Sequence, residues 1–264
     1  MDRFTLEALG LQKSFGGVRA VDQVSFGVRP GEMLALIGPN GAGKSTCFNL
    51  LNGHLKPDAG RVKLLGQDIT GLAPRRVWKR GVGRTFQITA TFGSMTVREN
   101  VQLALQSHRG ELARIWAPAW RLRGGQADTL LERVGLAGQA KRPCSVLAYG
   151  DLKRVELAIA LSNNPRLLLM DEPTAGMAPQ ERVGLMALVA EIARERGMSV
   201  LFTEHDMDVV FGHADRVLVL DRGRLIAEGT PDEVRGNALV QEVYLGSGFE
   251  PEPEAEAPLE APEC

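Results

Sequence analysis

No uncharged apolar run in this sequence approaches the roughly 18 residues that a membrane-spanning helix needs, so any membrane role must be borrowed from other subunits. Neither charge sign is in excess: 31 Lys and Arg against 32 Asp and Glu leave a formal net charge of −1. Bulk electrostatics therefore give no reason to expect nucleic acid or an anionic membrane as a partner. The stretch Met1-Asp2-Arg3-Phe4-Thr5-Leu6-Glu7 lacks the continuous apolar core of a secretory signal. Cysteine is scarce, odd in number and scattered, at Cys47, Cys144 and Cys264, which fits a reducing compartment. No Cys or His pair has metal-ligand spacing. What remains is a cytosolic globular chain of 264 residues, long enough to bury a sizeable core in one large domain or two small lobes.

Against those absences stands Gly38-Pro39-Asn40-Gly41-Ala42-Gly43-Lys44-Ser45, which fits G-x-x-x-x-G-K-[ST]. It follows an apolar run ending at Ile37 that reads as a buried strand, and it precedes the helix-compatible Thr46-Cys47-Phe48-Asn49-Leu50-Leu51. A Gly-rich turn carrying a surface lysine would need neither flank. The chemistry is anion binding: glycines let the backbone wrap phosphates, and successive N–H groups at a helix start point inward. Lys44 is placed to reach the β and γ phosphates of a nucleotide, and Ser45 to ligate Mg²⁺.

A second apolar strand, Leu167-Leu168-Leu169-Met170, ends in Asp171-Glu172-Pro173. Alone, it reads as a core strand closed by a solvated turn. Set parallel to the phosphate-loop strand, its end would meet the phosphates. Asp171 would then hold Mg²⁺, commonly through water, and Glu172 would polarise the water that attacks the γ phosphorus.

The pattern around these motifs is an α/β core interrupted by a helical insertion. Residues 1 to about 87 alternate short β-like runs with turns, near Thr5–Leu11, Val21–Val28, Arg61–Leu65 and Val82–Phe86. Residues from about 96 to 162 turn helical, opening on the capping box Thr96-Val97-Arg98-Glu99. Residues 163–246 return to alternation, with a helix over Pro179–Arg196 and strands over Ser199–Thr203 and Arg216–Leu220. After Gly248 the composition becomes Glu, Pro and Ala, which predicts a disordered acidic tail over 247–264.

Taken singly, Phe15 reads as core, Gln87 as a strand-end surface residue and His205 as a helix-cap histidine. In order, however, Phe15, the glycine loop, Gln87 in Arg84-Thr85-Phe86-Gln87, Leu147-Ala148-Tyr149-Gly150-Asp151, Asp171-Glu172 and His205 resemble an ATP-binding-cassette (ABC) ATPase over roughly residues 4–246. Phe15-Gly16-Gly17, Tyr149, Glu204-His205-Asp206-Met207 and Tyr244-Leu245-Gly246 make it similar to the ATPase subunits of branched-chain amino acid importers. The resemblance implies a P-loop NTPase core with a mixed sheet, an N-terminal antiparallel β subdomain and an inserted α-helical subdomain. It divides a single domain, 1–246, into core (1–95 and 163–246) and helical insert (96–162). It implies ATP and Mg²⁺ as ligands, Phe15 stacked on adenine, residues Gly38 to Thr46 around the phosphates, and Gln87 sensing Mg²⁺ and the attacking water. His205 becomes the switch histidine contacting the γ phosphate. Leu147 to Asp151 would present a helix start to ATP held by a second ATPase subunit. Two transmembrane permease subunits, an indirect periplasmic binding protein, no nucleic acid, and a place on the cytoplasmic face of the membrane complete the expectation.

The sequence departs from the family pattern twice. Ala148 lacks the usual serine hydroxyl, leaving backbone N–H groups and helix dipole to meet phosphate, and Ala178 stands where an aspartate usually links the two sites of the dimer. Residues 108–125, with Arg109, Arg114, Arg121, Arg123, Trp116 and Trp120, read either as a membrane-subunit or headgroup contact or as a loop packed on its own lobe. A urea importer, a lipopolysaccharide exporter or a non-transport cassette protein are the alternatives. The single glycine loop and the lack of sustained heptads weigh against the last, and the retained Lys44, Gln87, Asp171, Glu172 and His205 against a degenerate, binding-only cassette.

Overall fold

The computed structural model describes residues 4–85, 91–109 and 123–245. Their strands are β1 (Leu6–Phe15), β2 (Val18–Val28), β3 (Met33–Ile37), β4 (Ala59–Leu64), β5 (Gln67–Asp68), β6 (Val82–Thr85), β7 (Leu167–Asp171), β8 (Ser199–Thr203), β9 (Arg216–Asp221) and β10 (Arg224–Gly229). The helices are α1 (Lys44–Leu51), α2 (Pro74–Lys79), α3 (Val97–Arg109), α4 (Gly124–Arg133), α5 (Tyr149–Ala160), α6 (Pro179–Arg196), α7 (Met207–His213), α8 (Pro231–Arg235) and α9 (Ala238–Leu245).

Among the described residues the strands form two sheets. One is antiparallel, in the order β2-β1-β4-β5; the other runs β10-β9-β3-β8-β7-β6, parallel except for the β10–β9 pair. β3, β7 and β8 are buried along their whole length, as expected of parallel strands covered on both faces. Side chains alternate between those faces. Ala35, Ile37, Leu168, Met170, Val200 and Phe202 pack with α3 to α7. Leu34, Leu36, Leu167, Leu169 and Leu201 pack with α1 and the antiparallel sheet. One period of two therefore builds two cores on one sheet.

Several local rules are visible in the helices. Thr96 and Glu99 form the expected reciprocal box at α3: the Thr96 N–H donates to Glu99 Oε2 (2.8 Å) and the Glu99 N–H to Thr96 Oγ1 (3.2 Å). α6 begins at Pro179 and ends at Gly197 in a left-handed cap (φ 58°), the usual proline-in, glycine-out pairing. No described helix is long and apolar enough to cross a membrane.

The strand order positions the site. β8 lies between β3 and β7, all three parallel, so their carboxyl ends, Ile37, Thr203 and Asp171, open along one edge. In an open parallel sheet that edge is where ligands bind.

Candidate active site

From the end of β3 the chain turns through Gly38 (φ 153°), Gly41 (φ 79°) and Gly43 (φ 103°) before α1 starts. A Cβ on Gly38 would collide with the Leu220 carbonyl, and one on Gly43 with the Ala20 carbonyl, so only glycine fits either place. The loop is tied down by Ala42 N–H to Pro39 O (3.1 Å) and Gly223 N–H to Ala42 O (2.9 Å). Gly43 caps α1 without a side-chain acceptor, which leaves first-turn N–H groups for an anion. Ser45 is exposed and Thr46 half-buried in that turn.

Lys44 is buried, and its ammonium donates to Gly38 O (2.6 Å) and Pro39 O (3.1 Å). Burial holds its pKa below the usual lysine value, while Glu172 and Asp171 pull the other way. The three charges therefore share one electrostatic site, as the parallel arrangement of β3 and β7 requires.

Asp171 and Glu172 part company at the end of β7. Asp171 is buried, accepts from Thr203 Oγ1 (2.9 Å) and faces Arg84 Nη2 at 3.8 Å. Glu172 turns into the left-handed region (φ 48°), where its N–H donates to Thr203 Oγ1 (3.0 Å) and its Oε1 meets His205 Nε2 at 2.8 Å. One threonine thus sets both carboxylates. Behind His205, the Glu204 carboxylate accepts from Thr174 N–H (2.8 Å) and Thr174 Oγ1 (2.7 Å), joining the β7 and β8 loops. Burial pushes the Glu204 carboxyl above the usual range, with these bonds opposing.

A hydroxyl (Ser45) and a buried carboxylate (Asp171), both hard oxygen donors, fit Mg²⁺, which keeps other positions for water and substrate phosphate. Among the described residues no group of three or more His, Cys, Asp or Glu forms a metal cluster, and a nucleotide-shared Mg²⁺ needs none.

Phe15, at the end of β1, is 48% exposed, with Lys13 Nζ 5.6 Å from its ring centroid. It is not a core residue, and its half-exposed ring offers a π surface for stacking beside Lys13. Leu147 and Ala148 lead into α5 in extended conformation, and Ala148 is the cap residue without a side-chain bond. Tyr149 is exposed, Gly150 is buried against Glu181, and Asp151 lies in the first turn. This motif stands at the mouth of its own helix, whose body packs on α3, α4 and β6. Ala178 likewise caps α6 without a side chain of its own, its N–H donating to Glu181 Oε2 (3.4 Å). Gln87, Trp116, Trp120, Gly246 and the acidic tail lie outside the described residues.

The structure thus gathers the glycine loop, Lys44, Asp171, Glu172 and His205 at one sheet edge. It adds Thr203 and Arg84, to which the motifs alone assigned no role. Thr203 carried a usable signal, since it ends an apolar strand just before His205.

The family model "ABC transporter" matches residues 21–175, and "Branched-chain amino acid ATP-binding cassette transporter" matches residues 224–250. A Salmonella typhimurium relative, the high-affinity branched-chain amino acid transport ATP-binding protein LivG, is 41% identical over 253 residues, 93% of this chain and 99% of its own. A crystal structure of an ABC transporter's ATP-binding cassette in its ADP conformation superimposes with TM-score 0.82 at 34% identity, covering 92% of this chain and 98% of that one. A dimeric, post-hydrolysis cassette bound to ADP and Pi matches with TM-score 0.73 at 26% identity, over 86% of this chain and 98% of its own.

Proposed function

The chain belongs to the ABC transporter family of ATPases, and from that premise we propose that it powers an importer of branched-chain amino acids from the cytoplasmic face of the membrane. The observation that carries the catalytic part is Glu172, held left-handed by Thr203 with its carboxylate 2.8 Å from His205 and within electrostatic reach of Lys44.

ATP would lie with its phosphates on the N–H groups of Gly38 to Thr46 and its base on Phe15. Lys44, now bonded to loop carbonyls, would turn its ammonium to the β and γ phosphates, offsetting the desolvation that lowers its pKa. Glu172 accepts a proton from the attacking water while the new P–O bond forms and the β–γ bridge bond breaks, giving ADP and phosphate. His205 steadies the Glu172 carboxylate and meets the γ phosphate. Ser45 and Asp171 would hold Mg²⁺, with Gln87 the third residue that the family resemblance assigns to it, and the ion would neutralise charge on the phosphate oxygens when bound.

Leu147 to Asp151 face no phosphate of their own chain in this scheme; a second ATPase subunit brings its ATP to them. The similarity to a dimeric cassette supports that assembly. Closing and reopening of the sandwich would move two permease subunits that take substrate from a periplasmic binding protein. We take residues 1–246 as one ATPase domain, with 96–162 as its helical insert.

The test is purification with the membrane subunits in lipid vesicles, followed by ATPase assay with the loaded binding protein. Stimulation by leucine, isoleucine or valine supports the reading. Stimulation by urea alone, or by none of these, would overturn the substrate assignment and leave the ATPase standing.

A further inference from the structure

Glu204, His205 and Asp206 alone separate β8 from α7, and the residues on either side of His205 are each tied to the loop that follows Glu172. On one side, the buried Glu204 accepts through Oε1 from the Thr174 N–H (2.8 Å) and hydroxyl (2.7 Å), and through Oε2 from the His205 N–H (3.3 Å). On the other side, Asp206 caps α7, its Oδ1 accepting from the N–H groups of Asp208 (3.1 Å) and Val209 (3.4 Å). Its Oδ2 takes Arg182 Nη1 at 2.7 Å, and Arg182 Nε donates to the Met177 carbonyl (2.8 Å). Thr174 and Met177 are both buried, and the Met177 N–H donates to Thr174 O (3.1 Å), closing that loop into one turn. Two braces of different chemistry thus run from the His205 segment to a single turn.

The His205 side chain is itself 49% exposed, so its bearing on Glu172 Oε1 (2.8 Å) depends on where the backbone puts it. We propose that Glu204 and Arg182 are positioning residues for His205: by fixing the backbone before and after it to the Thr174–Met177 turn, they hold the imidazole on Glu172. Both braces end on carboxylates, which form shorter and stronger bonds than neutral acceptors do, and the turn they reach begins two residues after Glu172. His205 and Glu172 are therefore kept in register as one unit. This rests on the reading of Glu172 and His205 as the catalytic pair. Glu204 and Arg182 touch neither nucleotide nor water in that scheme, so their effect falls on the chemical step more than on ATP binding, which the glycine loop carries.

Glu204→Gln keeps the shape, but the amide oxygen can accept from Thr174 or from His205 and the amide nitrogen from neither, so that brace opens either way. Arg182→Met removes the other brace and keeps an apolar stem. The control is Glu195→Gln, which breaks the Arg133–Glu195 pair (3.1 Å) near the far end of α6. For these and wild type, kcat and KM for ATP, the Kd of ATP in EDTA, the Tm and the ring-nitrogen NMR signals of isotope-labelled histidine are measured. The His205 signals are identified by their absence from His205→Ala. Glu204→Gln and Arg182→Met each lower kcat by about five- to ten-fold with Kd within about two-fold. Both shift the His205 signals while those of His54 and His108 stay, and Glu195→Gln matches wild type in kcat and in the His205 signals. Wild-type kcat in either brace variant, unmoved His205 signals, or a Kd that rises as far as kcat falls assigns these bonds to fold stability and overturns the inference. A wild-type chain that does not hydrolyse ATP removes the catalytic reading itself and this one with it.

Discussion

At the residue scale the site depends on carboxylates placed in unlike surroundings. Glu172 occupies a left-handed backbone position (φ 48°) that costs a non-glycine residue about 1–3 kcal/mol. The surrounding bonds to Thr203 and His205 hold it there. Glu204 is more enclosed, and burial raises its carboxyl above the usual range. The folded chain thus keeps this proton to higher pH than the unfolded chain. Its contribution to stability is complete at acid pH and is lost as pH rises through the folded pKa. Glu204→Gln removes that slope, so the Tm of the variant minus that of wild type becomes more positive between about pH 5 and pH 8. A difference flat across that range would contradict the assignment. Cys47, by contrast, is buried with its thiol pushed up to about 12, which makes it inert packing under the glycine loop.

At the element scale, two helix starts lack the side chain that commonly caps them. Ala148 before α5 and Ala178 before α6 both hold extended, cap-ready conformation (φ −63° and −66°) with no side-chain acceptor. Ala178→Asp and Ala148→Ser should each stabilise the chain by about 1 kcal/mol, a Tm rise of about 2–4 °C in a chain of this size. Thermal unfolding checks this, and an unchanged or lower Tm would show that neither start accepts a cap. Elements like α6 were readable because proline and glycine mark both ends, β3 because it is wholly apolar, and β7 and β8 because an apolar run fills all but their end residues. The short pairing of β5 with β4 and the strand β10, half-exposed and without a run of its own, were not, since their neighbours decide them. The same holds for the site. The glycine loop and the acid pair are contiguous in sequence and legible there. Thr203 takes its role from the β7–β8 register, which sets it beside Asp171 across a separation of 32 residues.

At the scale of the whole molecule, the two sheets are fastened together by one ion network centred on the buried Arg216 and Glu32. Arg216 on β9 donates through Nε to Glu32 (2.7 Å) and through Nη1 to Glu228 on β10. Its other amino group reaches the Gly27 carbonyl on β2, in the antiparallel sheet. Glu32 itself accepts from the Arg29 N–H (2.6 Å) in the turn that leads into β3. Arg216→Met would leave Glu32 as an unpaired buried charge and cost about 3–5 kcal/mol. A lowered urea midpoint with unchanged slope reports it, and a midpoint within error of wild type would contradict it.

The network ties the amino ends of β3 and β9, and the opposite, carboxyl edge of the same sheet is where Lys44, Asp171, Glu172 and His205 meet. The most direct test of what that edge does compares phosphate release and ATP binding in wild type and Glu172→Gln. The variant is expected to bind ATP as tightly as wild type while its turnover falls by about 100-fold or more. Wild-type turnover in Glu172→Gln would contradict it.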